Sequence, residues 1–198
     1  MTPGAIEYPL RMARWQPDAR GRLQEAALAL YDERGFENTT VAQIAEQAGL
    51  TKRTFFRYFA DKREVLFWGA KALEELFVSE VVSAPSSATP LEAMVAALDA
   101  AAATFEDGRE YAARRQHIIA ANPELQEREL IKLSLLARTV AQALRERGVE
   151  DSAATFTAEA GVTVFRVAFE LWVRESNRRG LKALIHESLD ELRAVTAV

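Results

Sequence analysis

The chain has 198 residues, just under half of them hydrophobic, with a net charge of −4 and no cysteine. Those totals exclude a disordered chain, a disulfide scaffold, a cysteine nucleophile and a thiolate metal site. They allow one or two domains around a sizeable core.

Charge is spread unevenly. Residues 1–64 carry ten Lys/Arg against nine Asp/Glu, and the remainder carries fifteen against twenty. Clustered Lys52, Arg53, Arg57, Lys62 and Arg63 can therefore grip an anionic partner, while the acidic remainder discourages non-specific adhesion.

Met1 to Gln16 contains Pro3, Glu7, Pro9, Arg11 and Arg14 and has no unbroken apolar stretch. It reads as an N-terminal extension without a secretory signal. Helix one is expected from about Pro17 to Arg34, with Leu23, Ala26, Ala27, Leu30 and Tyr31 at helical spacing and Gly35 as a left-handed stop. Thr40-Val41-Ala42-Gln43 is a capping box for helix two, and Thr51 caps helix three. Helix four is expected from Asp61 to about Val82.

Ser83 to Ala88 is a loop, and Thr89-Pro90-Leu91-Glu92 announces the next helix, to about Phe105. Its alanines permit either close helix approach or a cavity. Helices from about Arg109 to Ala121, from Asn122-Pro123 to Arg147, from Asp151 to about Arg178 and from Leu181 to about Thr196 complete an all-α chain. Gly161 to Val173, the longest apolar zone, is interrupted by Arg166 and Glu170 and is too short to span a bilayer. A soluble, cytoplasmic protein is expected.

Residues 39–65 carry the chemistry. Two short helices are broken at Ala48-Gly49-Leu50, the place where a helix-turn-helix needs a tight turn. Phe55 and Phe59, four apart, share the inner face of helix three. Lys52, Arg53 and Phe56 then fall on other faces near its amino end, where a recognition helix meets base edges. The two cations can donate to guanine and Phe56 can touch a thymine methyl. Thr40, Thr54, Arg57, Tyr58 and Lys62 are placed as phosphate ligands.

Gly35-Phe36, Thr39-Thr40-Val41, Ile44-Ala45, Ala48-Gly49-Leu50, Thr54-Phe55-Phe56-Arg57-Tyr58-Phe59 and Lys62 resemble the amino-terminal domain of TetR-type transcriptional regulators. The resemblance covers roughly residues 21–65. It implies a homodimeric repressor whose carboxy-terminal domain releases DNA when a small molecule is bound. Ala42 stands where some members carry a base-reading arginine, so helix two is expected to supply mainly phosphate contacts. The implied architecture is an extension over 1–16, a three-helix DNA-binding domain over 17–60 and a ligand-binding and dimerisation domain over 61–198.

Behind the DNA-binding segment the signals thin out. Phe67, Trp68, Phe105 and Trp172 can supply apolar walls of a pocket and Tyr111, Arg114 and Arg115 its polar groups. Arg114 or Arg115 can hold an acidic headgroup; a surface or ion-paired arginine is the plain alternative for either. The 115–128 stretch is similar to regulators of this family associated with acyl-CoA-like ligands. The helix around Val162 to Val173 is apolar nearly all round, and the last helix bears an apolar stripe. Phe165, Phe169, Leu184, Ile185, Leu189 and Leu192 are therefore the expected dimer interface under two-fold symmetry.

His117 and His186 are the only histidines, without metal-ligand spacing. No catalytic residue, metal or cofactor is expected. The expected partners are a palindromic operator in duplex DNA, an apolar or amphipathic effector and a second copy of the chain, with no membrane. A helical lipid or cofactor carrier is the alternative.

Overall fold

Caps and glycines set the helix ends of the computed structural model, which describes residues 19–174, 176 and 178–196. Helices among these residues are α1 Ala19–Arg34, α2 Val41–Gln47, α3 Lys52–Tyr58, α4 Ala70–Ser83, α5 Pro90–Phe105, α6 Arg109–Ala120, α7 Pro123–Glu146, α8 Asp151–Trp172 and α9 Leu181–Thr196. No strand occurs among them, so the fold is all-α. The expected extension over 1–16, and Pro17 at the start of helix one, lie outside the described residues.

Local signals behave as expected. The chain turns left-handed at Gly35, Gly49 and Gly148. Thr40 with Gln43 and Thr89 with Glu92 form complete capping boxes, the second with Pro90 in the first turn. Each box satisfies orphan N–H groups within one turn, which is why four residues suffice to announce it.

The described residues divide into two compact units, one of 19–69 and 110–131, the other of 70–109 and 132–196. The first is built on Leu23, Leu30, Phe36, Ile44, Phe55 and Phe59, joined by Ile118, Ile119 and Leu125 from α6 and α7. Expectation fails at helix four. Residues 62–69 form consecutive turns, with Leu66 N–H on Arg63 O and Phe67 N–H on Glu64 O, and α4 starts only at Ala70. Val65, Leu66 and Phe67 of this segment are all buried. Asp61 does cap this segment, its Oδ1 accepting from the N–H groups of Arg63 and Glu64. The first unit thus runs past the expected boundary at 60/61 to Gly69 and recruits 110–131 as well.

In the second unit, Ala93, Met94, Ala97, Leu98 and Ala101 of α5 are fully buried. A Cβ added at Gly161 of α8 would lie 2.1 Å from Met94 Cε and 2.5 Å from its Cγ. The small face of α5 therefore serves close helix approach at this point. Helix α8 ends at Trp172, before the expected Arg178. Its freed carbonyls are taken up elsewhere: Val173 N–H bonds back to Phe169 O, and the Arg109 guanidinium donates to Trp172 O at 2.8 Å and to Arg174 O. Asn177, part of the expected stop, lies outside the described residues. Helix α9 packs Leu181, Leu184, Ile185 and Leu189 inward, and its Lys182 and His186 bracket Asp99 of α5 at 2.9 and 2.8 Å. Those two contacts, opposing the effect of burial, hold the Asp99 carboxyl below the usual range. No helix among the described residues is long and apolar enough to cross a membrane.

Candidate nucleic-acid interface

Helix α2 closes with two bonds, Gly49 N–H to Glu46 O at 2.9 Å and Leu50 N–H to Ala45 O at 2.8 Å. This pair requires a left-handed residue just past the helix, and Gly49, with φ of +67°, fills that position without a Cβ penalty. The chain then enters α3 at Thr51, whose hydroxyl accepts from Thr54 N–H. Phe55 and Phe59 are buried with ring centroids 5.5 Å apart, and Ile44 and Ala45 are buried on α2. Beneath them Tyr31 Oη donates to Lys62 O at 2.7 Å; burial, with Asp61 nearby, raises the phenol's pKa and keeps it protonated.

Holding one face of α3 this way turns the other outward. Lys52 and Arg53 occupy its first two positions and are exposed, as is Arg57, and Phe56 is 57% exposed. Among the described residues no carboxylate pairs with Lys52, Arg53 or Arg57. Thr40 is exposed at the start of α2; half-buried Thr54 shares a hydrogen bond with Thr51 at 3.0 Å. Tyr58 Oη accepts from Arg57 at 3.1 Å, and the Arg57 guanidinium lies 4.8 Å from the Tyr58 ring centroid. The surface offers unneutralised donors beside an apolar ring, the chemistry that reads guanine edges and thymine methyls.

Lys62 is engaged differently from the expected phosphate ligand. Its Nζ donates to the backbone oxygens of Phe36 (2.7 Å), Thr39 (3.1 Å) and Glu37 (3.3 Å), above the Phe36 ring. An ammonium has three N–H donors, and all three are used to pin the α1–α2 loop. Lys62→Met is expected to cost about 1.5–3 kcal/mol of stability in urea denaturation. The salt dependence of DNA binding should stay unchanged, whereas a shallower salt slope would return Lys62 to the phosphate ligands. Arg20, at the start of α1, carried no sequence signal. Its guanidinium lies 4.6 Å from the Trp68 ring centroid and 5.3 Å from that of Tyr58.

The seven expected pocket residues separate between the two units. Phe67 is buried in the first unit under the Arg115 guanidinium, and Trp68 and Tyr111 pack on the same core, where burial raises the Tyr111 pKa. Arg114 forks onto Asp32 at 2.9 and 2.6 Å. Arg115 donates to Leu66 O at 2.6 Å and to Glu129 at 3.0 Å. Both arginines are thus ion-paired, as their plain alternative had it. Phe105 and Trp172 belong to an aromatic cluster of the second unit, Phe105 lying 5.4 Å from Phe169 and 6.3 Å from Trp172. Two cavities of that unit, about 260 and 570 Å³, are lined by other residues, the first at Leu171, Arg174 and Leu184, the second along the α4–α5 connection.

Burial speaks against four of the six residues expected at the dimer interface. Phe165, Leu184, Ile185 and Leu189 retain 5% exposure or less within their own unit, and Phe169 and Leu192 are half-buried. Leu184, Ile185 and Leu189 of the α9 stripe are buried in the unit where α9 packs on α5 and α8. A side chain with no surface left has none to bury against a partner.

Two capped helices around a left-handed glycine turn, with an outward basic-aromatic face, define a helix-turn-helix protein. The chain belongs to the TetR family: the family model for bacterial regulatory proteins of the tetR family matches residues 23–67, and that for the MftR C-terminal domain matches 88–197. It is 39% identical over 106 residues to the transcriptional regulator TcmR of Streptomyces glaucescens, a match covering 54% of this chain and 44% of that protein. It is 24% identical over 176 residues to MftR of Mycobacterium tuberculosis, named for transcriptional regulation of mycofactocin biosynthesis, covering 87% of this chain and 88% of that protein. These relatives are named as regulators, not enzymes.

Among solved structures, SmeT, repressor of a Stenotrophomonas maltophilia efflux pump, shares the fold at a TM-score of 0.56 and 20% identity, over 91% of this chain and 90% of its own. FadR of Thermus thermophilus, solved with lauroyl-CoA, does so at 0.54 and 24%, over 90% and 95%.

Proposed function

We propose that this chain is a ligand-responsive repressor that binds a palindromic operator as a homodimer in the cytoplasm. The observation carrying this reading is the outward face of α3, where Lys52, Arg53, Phe56 and Arg57 are exposed without a neutralising carboxylate among the described residues. Lys52, Arg53 and Phe56 read bases; Thr40, Thr54, Arg57 and Tyr58 hold phosphates. Two copies place their α3 helices about one DNA turn apart, which requires a two-fold symmetric site.

Helix α8 carries an outward stripe suited to the second copy: Phe156, Ala160, Thr163, Val167 and Leu171, each exposed or half-buried and spaced three to four residues apart. The effector is apolar or amphipathic and meets the half-buried Phe105 and Phe169 of the second unit. The acyl-CoA held by FadR supports that class. Helix α7 runs unbroken from Pro123 to Glu146, its first turns in the DNA-binding unit and the rest in the second. Arg128 of α7 pairs with Glu64, so effector binding reaches the DNA-binding unit along α7. DNA and effector then weaken each other equally.

The test is Arg53→Ala on promoter DNA flanking the chain's own gene. A loss of about 1–3 kcal/mol on the specific site, with random duplex DNA bound as before, is the expected result. Equal loss on both sequences removes Arg53 from the base readers. Absence of salt-dependent DNA binding by the unaltered chain would favour a lipid or cofactor carrier.

A further inference from the structure

We propose that Arg20 is a further DNA-phosphate contact, held ready between Tyr58 and Trp68; the inference rests on the DNA-binding reading above. Arg20 lies in the first described turn of α1. No carboxylate among the described residues pairs with it. Its Nε is buried and donates to nothing in the described structure.

Among the described residues the guanidinium lies against two ring faces, Trp68 at 4.6 Å and Tyr58 at 5.3 Å. Aromatic faces orient a guanidinium plane without neutralising it. The same Tyr58 ring carries the Arg57 guanidinium at 4.8 Å, so two unneutralised forks flank the last residue of α3. An unneutralised guanidinium held in this way suits an anion with oxygens matched to a planar donor pair, a carboxylate or a phosphate. Position beside the recognition helix selects the phosphodiester of the bound duplex. Arg20 brings α1 into the interface, next to the contact made by Arg57.

The experiment measures binding of a random-sequence duplex of about three helical turns against salt concentration. Arg20→Gln should reduce the slope of log affinity against log salt by about 0.9 and weaken specific and random DNA by the same factor, whereas Arg20→Lys should keep the slope. A wild-type slope unchanged by Arg20→Gln overturns the inference alone. A wild type with no slope overturns the DNA reading and the inference together. Should Arg20→Gln fail to fold, phenylglyoxal labelling of the unaltered protein decides: protection of Arg20 by the duplex supports the contact, and equal labelling with and without it overturns it. Protection by inorganic phosphate but not by duplex overturns it too, assigning the site to a free anion.

Discussion

Phe55→Ala is expected to destabilise the DNA-binding unit by about 3–5 kcal/mol and to abolish binding to every DNA sequence. Phe55 has no exposure, and its ring packs 5.5 Å from that of Phe59. Truncation leaves a cavity that Ile44, capped into α2, cannot fill by a rotamer change alone. A short helix of seven residues has little stability of its own, so α3 depends on this anchor. The neighbouring Phe56→Ala supplies the contrast: at 57% exposure it should leave the urea midpoint nearly unchanged and weaken only specific binding. A Phe55→Ala protein that unfolds like the wild type would mean α3 is held by something other than its aromatic face.

Leu189→Asp is expected to unfold the second unit rather than release a folded monomer. The side chain is 3% exposed among α5, α8 and α9, and burying a carboxylate there without a partner costs at least about 3–5 kcal/mol. Circular dichroism should report lost helix, and size-exclusion chromatography a heterogeneous or expanded species. Phe156→Asp on the α8 stripe is the complement. At 74% exposure it should leave the thermal midpoint in place while shifting the protein to monomer. A folded monomeric Leu189→Asp would restore α9 as the interface, and an intact Phe156→Asp dimer would remove the α8 stripe.

The helix-turn-helix was legible because its determinants are local. Thr40 reaches Gln43, Thr51 reaches Thr54, and Gly49 closes α2 through bonds spanning three and five residues. The split of α3 into an inner Phe55–Phe59 face and an outer Lys52, Arg53 and Phe56 face follows from helical periodicity once the cap sets the start. Lys62, Arg114 and Arg115 were not legible in the same way. Their acceptors are the carbonyls of residues 36, 37 and 39, Asp32, and Leu66 with Glu129. A cation in sequence declares a charge, and only packing names what lies within its reach.

Composition, caps and periodicity by themselves determined an all-α chain, the turn at Gly49 and the outward basic face of α3, since each is set within a turn or two of helix. The tertiary structure decided what an apolar stripe is for. Leu184, Ile185 and Leu189 announce an apolar partner in either case, and burial against α5 shows that partner to be the same chain. It likewise replaced the start of helix four by turns over residues 62–69. It also brought Arg20 against two rings distant in sequence. Hydrogen bonds between near neighbours are written in residue order, whereas the competition among distant surfaces for a limited core is resolved only when the chain folds.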